Sequence, residues 1–262
     1  MKQKNRTRYI VLLVILVTFT LIMYLGFGKE NLKKEKEAMT IIVGETAIWN
    51  YSDMHWLNVT TPTTIEKLNW LDYNVYIDNK PLGKYYLWYN QDKWYIFDQN
   101  KKAIQRDGNI IAYRSNYEIK VQDFQMEEIR NYTPVRQVLS ENSLSTSSKY
   151  TVSQETSIDI DNDGVKEKFY FVSNAFPIDF EPTNVFTFVF MVKNNQIYPM
   201  YSSVEQNQSV NGCKPYLSGV LDVDNDNTSE LVVSCGRYST SKPIDMLYKL
   251  TDEGFKILIS NQ

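Results

Sequence analysis

Two stretches of the chain concentrate carboxylates at a spacing that suits a metal ion. The first is Asp159-Ile160-Asp161-Asn162-Asp163-Gly164-Val165-Lys166-Glu167; the second is Asp222-Val223-Asp224-Asn225-Asp226-Asn227-Thr228-Ser229-Glu230. They begin 63 residues apart, and in each the acids stand at positions 1, 3, 5 and 9. Carboxylates crowded onto one tight loop repel one another unless a cation sits among them. Every side-chain ligand on offer is an oxygen, which suits a hard ion of flexible geometry, and so calcium. Position 6 is Gly164 or Asn227, the two residue types that best tolerate a left-handed backbone. The expected ligands are Asp159, Asp161, Asp163 and Glu167 with the carbonyl of Val165, and Asp222, Asp224, Asp226 and Glu230 with the carbonyl of Thr228. Two calcium ions are expected, fastening hairpins rather than performing catalysis. A single copy would be read as a solvated hairpin tip; the repeat of spacing and flanks favours the ion.

The loops are not EF-hands. An EF-hand needs a bidentate Glu at position 12. Here that position is Tyr170 or Val233, each inside an apolar, strand-like run. The D-x-D-x-D-G-x-x-E pattern between two strands, recurring along the chain, resembles FG-GAP/VCBS-type repeats, the calcium-bearing units of integrin α-subunit propellers and of many bacterial surface proteins. The resemblance covers roughly residues 150–262 and implies the same eight acidic ligands. A closed propeller takes typically 4–8 blades, so two copies are read as a small sandwich of two related, antiparallel four-stranded β units.

Other residues carry weaker signals. Cys213 and Cys235 flank the second loop, on the strands expected to leave it. A bridge between them would close 22 residues, stabilising by about 3 kcal/mol in the chain-entropy picture; the alternative is two buried thiols. Tyr85, Trp88, Trp94 and Tyr95 are candidates for a ligand-binding aromatic face that stacks on sugar rings or anchors an interface. The competing role for aromatics is a small β core. His55 is the one histidine. With no nucleophile or base motif near it, it is read as a structural or surface residue. A two-carboxylate hydrolase stays open as an alternative, and the isolated acids outside the loops, such as Asp72, Asp78 and Glu118, are the ones whose substitution would test it.

The elements that must position these groups follow from composition. The chain has 262 residues, 43% hydrophobic and 23% charged, and a net charge of −3. That is globular composition, and it argues against nucleic acid as a partner. Residues 150–262 read as nearly all β, with strands near 168–174, 185–193, 197–203, 215–223, 230–236, 246–250 and 255–260. Residues 151–262 carry 15 acidic and 8 basic residues, net −7; two calcium ions would bring that to −3. Residues 38–142 hold all five tryptophans and read as a mixed α+β, aromatic-rich domain. Its runs VYID, KYYLWY, KWYIFD and NIIAYR predict an antiparallel meander. Thr63 to Glu66 fits a capping box before a short helix through Leu71. Thr133-Pro134 predicts a second helix with Val135, Val138 and Leu139 on one face. Residues 143–149 read as a linker.

Residues 9–27 are uncharged and long enough to cross a bilayer as a helix. They are expected to be an uncleaved single-span anchor; a cleaved signal peptide is the rival. Residues 1–8 would be a cytoplasmic tail, and 28–37 a charged stalk. Lysines and arginines balance across the span, so the orientation rests on the calcium loops and cysteines, which suit an extracytoplasmic body. The expectation is a mainly β, membrane-anchored calcium-binding protein, acting in binding or scaffolding towards an envelope protein or glycan. The alternative is a cell-envelope glycan hydrolase, or an accessory subunit of an envelope or secretion complex.

Overall fold

The structure, a computed structural model, describes residues 39–261 apart from 45–46, 53–54, 92, 105–107, 176–183, 207–211 and 238–242. The expected tail, span and stalk at 1–8, 9–27 and 28–37 lie outside the described residues. Among the described residues, no helix is long and apolar enough to cross a membrane.

The fold is mainly β and antiparallel. Residues after 150 form two meanders. One is β11 (Val152–Ile158), β12 (Glu167–Ser173), β13 (Asn184–Lys193) and β14 (Gln196–Gln206). The other is β15 (Cys213–Asp222), β16 (Glu230–Arg237), β17 (Ile244–Thr251) and β18 (Gly254–Ser260). Each acidic loop joins the first two strands of its meander. Asn194 and Asn195, at φ 51° and 60°, make the two-residue turn between β13 and β14, as the right-handed twist of a tight hairpin requires.

Each meander gains a fifth strand from upstream. β9 (Lys120–Val121) pairs with β15, and β10 (Glu127–Glu128) pairs with β11. The helix α2 (Thr133–Glu141) buries Val135, Val138 and Leu139 against Tyr170, Val172, Phe186, Phe188 and Phe190. So residues 143–149 do not separate two cores. Segments on their N-terminal side complete the sheets built from residues on their C-terminal side.

The upstream strands form one eight-stranded sheet: β1 (Met39–Val43), β2 (Ala47–Ser52), β3 (His55–Asn58), β4 (Asp72–Ile77), β5 (Lys80–Asn90), β6 (Lys93–Phe97), β7 (Ala103–Ile104) and β8 (Ile110–Arg114), in the order β3-β2-β1-β8-β4-β5-β6-β7. The expected meander of four runs is therefore broken. β8, the NIIAYR run, does not follow β7 at the edge but returns to sit between β1 and β4. The reason is burial: Ile111, Ala112 and Tyr113 are apolar on both faces and are all buried there. The capping box is also displaced. α1 (Pro62–Glu66) starts two residues earlier, with Thr61 as its N-cap and proline in its first turn, and Thr61 Oγ1 and Thr64 Oγ1 share a 2.7 Å hydrogen bond instead.

Strand alternation then stacks the molecule into layers. Ile42, Val75, Leu87, Trp94 and Ile96 face Ile65 of α1 and Leu68 in the turn after it. Ile41, Val43, Ile111 and Tyr113 face the opposite way, onto Leu221, Val232 and Leu247 of the β15–β18 sheet. The other face of that sheet, with Leu217, Val220, Leu231 and Val233, packs on Ile158, Phe169, Phe171, Val189 and Met191 of the β11–β14 sheet. The order is α1, outer sheet, central sheet, far sheet, α2. Cys213 and Cys235 form a disulfide between β15 and β16, Cα atoms 5.3 Å apart, buried in the layer between central and far sheets.

Candidate metal centres

The two acidic loops repeat in backbone as well as in sequence. Positions 4 and 6 are left-handed in both: Asn162 at φ 56° and Gly164 at 87°, Asn225 at 57° and Asn227 at 69°. These reversals curl the loop so that alternate side chains turn inwards. In each loop the position 2 amide donates to the position 9 glutamate: Ile160 N to Glu167 Oε2 at 3.1 Å, and Val223 N to Glu230 Oε2 at 2.9 Å. In each, the position 7 amide donates to position 5: Val165 N to Asp163 Oδ1 at 2.7 Å, and Thr228 N to Asp226 Oδ1 at 2.8 Å.

Two triads result. Oxygens of Asp159, Asp161 and Glu167 lie within 4.8 Å of one another, as do those of Asp222, Asp224 and Glu230. Either triad could hold a metal ion. Glu167 and Glu230 are buried, as is Asp222. Among the described residues, Asp161 Oδ1, both carboxylate oxygens of Asp222 and Asp224 Oδ1 are buried with no hydrogen-bond donor. A buried anionic oxygen without a partner is costly, so these atoms fit a cation among them. Asp163 and Asp226 stand at the rim, partly exposed and already bonded to the position 7 amides. Asp159 differs from its counterpart Asp222: its two oxygens accept from the Asp163 and Gly164 amides, each at 3.0 Å. The Val165 side chain is exposed.

Two lysines complete these clusters, and nothing in the acidic spacing announces them. Lys193 Nζ hydrogen-bonds Asp161, and lies 3.3 Å from Asp163 Oδ2 and 2.9 Å from Glu167 Oε1. Lys249 Nζ lies 2.7 Å from Asp224 Oδ2, 2.7 Å from Asp226 Oδ2 and 3.2 Å from Glu230 Oε1. Register explains the match. Lys168 pairs with Val192 and Leu231 with Tyr248, so each position 9 glutamate sits across from the lysine of the next strand.

Charge is distributed accordingly. The hydrogen bond to Asp161 raises the Lys193 ammonium above its ordinary value. Burial pulls Lys249 down, but Asp224 and Asp226 outweigh it and the net shift is upward. The Val165 amide and Lys193 hold Asp163 below the usual carboxylate range. Burial pushes Glu230 up to about 7, against the Val223 amide and with the help of Asp224.

The loops touch each other. Ser229 N donates to Ile160 O at 2.7 Å, and Gln122 Nε2 reaches both Asp159 O at 3.1 Å and Ser229 Oγ at 2.7 Å. Tyr117 Oη donates to Val223 O at 2.7 Å, and Lys120 Nζ to Asn227 Oδ1 at 2.9 Å. Gln122 and Lys120 come with β9, the strand that sequence reasoning placed in another domain.

The four candidate aromatics divide between two faces. Trp94 is buried beneath α1, and Tyr85 packs beside it. Trp88 and Tyr95 lie on the opposite face, outside the cluster in which β1, β2 and β8 pack on the central sheet. Trp70 and Phe97 join them: Trp70 lies 6.3 Å from Trp88 and 4.9 Å from Phe97 between ring centroids, and Trp88 lies 5.7 Å from Tyr95. Trp70 is 43% exposed and Tyr95 38%. Among the isolated acids, Asp72 and Asp78 fall at opposite ends of β4, and Asp78 accepts the Asn109 amide as a turn residue. Glu118 and His55 are exposed.

No protein-family model, curated protein or solved structure matches the chain.

Proposed function

We propose that this chain is a calcium-binding protein of the cell envelope, anchored by its N-terminal span, with its β body outside the cytoplasm and a role in binding or scaffolding. The observation that carries the reading is the set of buried carboxylate oxygens without donors, repeated in two loops of one geometry. An ion of 6–8 oxygen ligands uses such atoms, and loop carbonyls and water complete its shell. Calcium is favoured over zinc because no nitrogen or sulfur ligand stands in either cluster. The resemblance to FG-GAP/VCBS-type loops supports the same ion. A disulfide and loops suited to millimolar calcium both fit an oxidising exterior.

The full chain in detergent, heated with calcium and then with chelator, tests this. Calcium should raise the unfolding temperature by several degrees, as any ligand of the folded state does. A variant carrying Asp161→Ala and Asp224→Ala should lose the rise. An unfolding temperature indifferent to calcium would sink the reading.

The cluster of exposed Trp70 and Tyr95 with half-buried Trp88 and Phe97 favours a second reading, a glycan-binding accessory role, because such rings stack on sugars. Titration with cell-wall glycan fragments should quench tryptophan fluorescence, and less so in Trp70→Ala. Unchanged emission would remove this reading.

A further inference from the structure

We propose that Lys193 and Lys249 are tethered cations that hold the two loops closed and must swing out when a divalent ion enters. The inference rests on the calcium reading and adds a device to it. The same residue type occupies the same register position in both meanders, with its ammonium against oxygens from the three carboxylates at positions 3, 5 and 9. That is the space an ion between positions 1, 3 and 9 would use. Yet one ammonium does not satisfy either cluster. Four carboxylates gather round the lysine ammonium in each loop, and among the described residues no donor hydrogen-bonds either oxygen of the Asp222 carboxylate, which is 3% exposed as a residue. Lys120 approaches it only to 3.8 Å.

An ammonium and a divalent ion cannot share this centre. A calcium ion draws oxygens to 2.3–2.6 Å, and a positive charge hydrogen-bonded to the same carboxylates would be repelled at close range. The lysine has a way out. Its stem is flexible, and each side chain is about one-fifth exposed at the end of the sheets, so the ammonium can reach water while the stem stays on the strand. The loops are thereby kept folded without the ion, and the ion's affinity is lowered by the cost of displacing the lysine. A monovalent ion brings no more charge than the ammonium it would replace, so the exchange selects for divalent ions.

Calcium chloride titrated calorimetrically into the full chain in detergent provides the test, comparing the natural protein with a variant carrying Lys193→Met and Lys249→Met. The variant should bind calcium at least tenfold more tightly, and should unfold at lower temperature in chelator. In the natural protein, calcium should speed acetylation of Lys193 and Lys249 several-fold, read by mass spectrometry. That second measurement decides the matter if the double variant does not fold. Equal or weaker calcium binding by the variant, or acetylation indifferent to calcium in a protein that binds it, would overturn the displacement. Calcium binding by neither protein would overturn the calcium reading itself, and the displacement with it.

Discussion

The acidic positions were legible because their chemistry is local: one loop, fixed spacing, two copies. The lysines were not, because what fixes them is strand pairing. Lys193 lies 30 residues beyond Asp163, but Lys249 only 23 beyond Asp226; only the register brings them level. The same pairing sets the pH response. Glu230 ionises near 4.5 when unprotected and near 7 in the fold, chiefly through burial. Between these values the folded chain holds a proton that the unfolded chain has shed. Stability in chelator therefore falls as pH rises from about 4.5 to about 7, by a few kcal/mol at most. Asp163 and Asp226 have the opposite sense: their values are depressed, so their contribution is lost only as pH falls below about 4. Calcium binds ionised carboxylates. Urea midpoints at pH 5 and 7.5 should thus decline in chelator and stay level or rise in calcium.

At the scale of elements, period and turn chemistry placed the strands from β12 to β18 and the apolar face of α2. The first and shortest elements escaped. β9 and β10 are two residues each, too short for any alternation to be seen. β8 reads like its neighbours, and only double-sided burial puts it between β1 and β4. β9 matters most for the centres, since it delivers Gln122 between the loops. Replacing Gln122 with Ala leaves Ser229 Oγ and Asp159 O short of a donor. The expected cost is about 1–2 kcal/mol, seen as a lower denaturation midpoint. A variant as stable as the natural chain would mean that the loops stand independently.

For the whole molecule, composition suggested two domains, and packing delivers a continuous stack. The tryptophan-rich half and the acidic half do differ in content, but their apolar faces meet, and the central sheet is covered on both sides. Its strands accordingly read as apolar runs such as ELVV and GVL, not as clean alternation. The two meanders also face the same way. Glu167 points with Phe169 and Phe171 towards the central sheet, and Glu230 points with Val232 towards the outer one. They are stacked front to back, as identical bricks are, not mirrored.

Front-to-back stacking has no natural end. Each added layer presents the face that the next would cover, as in solenoid proteins, where dedicated caps stop the growth. Here α2 is the cap on one side: it covers Tyr170, Val172 and three phenylalanines. Replacing Val135 and Leu139 with Asp should strip that cover; because the outer sheet stays covered by Ile65 and Leu68, the bared far sheets of two molecules should then meet face to face, an isologous contact that closes as a pair. Light scattering would show the mass doubling as concentration rises. A variant with the same mass as the natural protein would mean that the far sheet is shielded by more than α2.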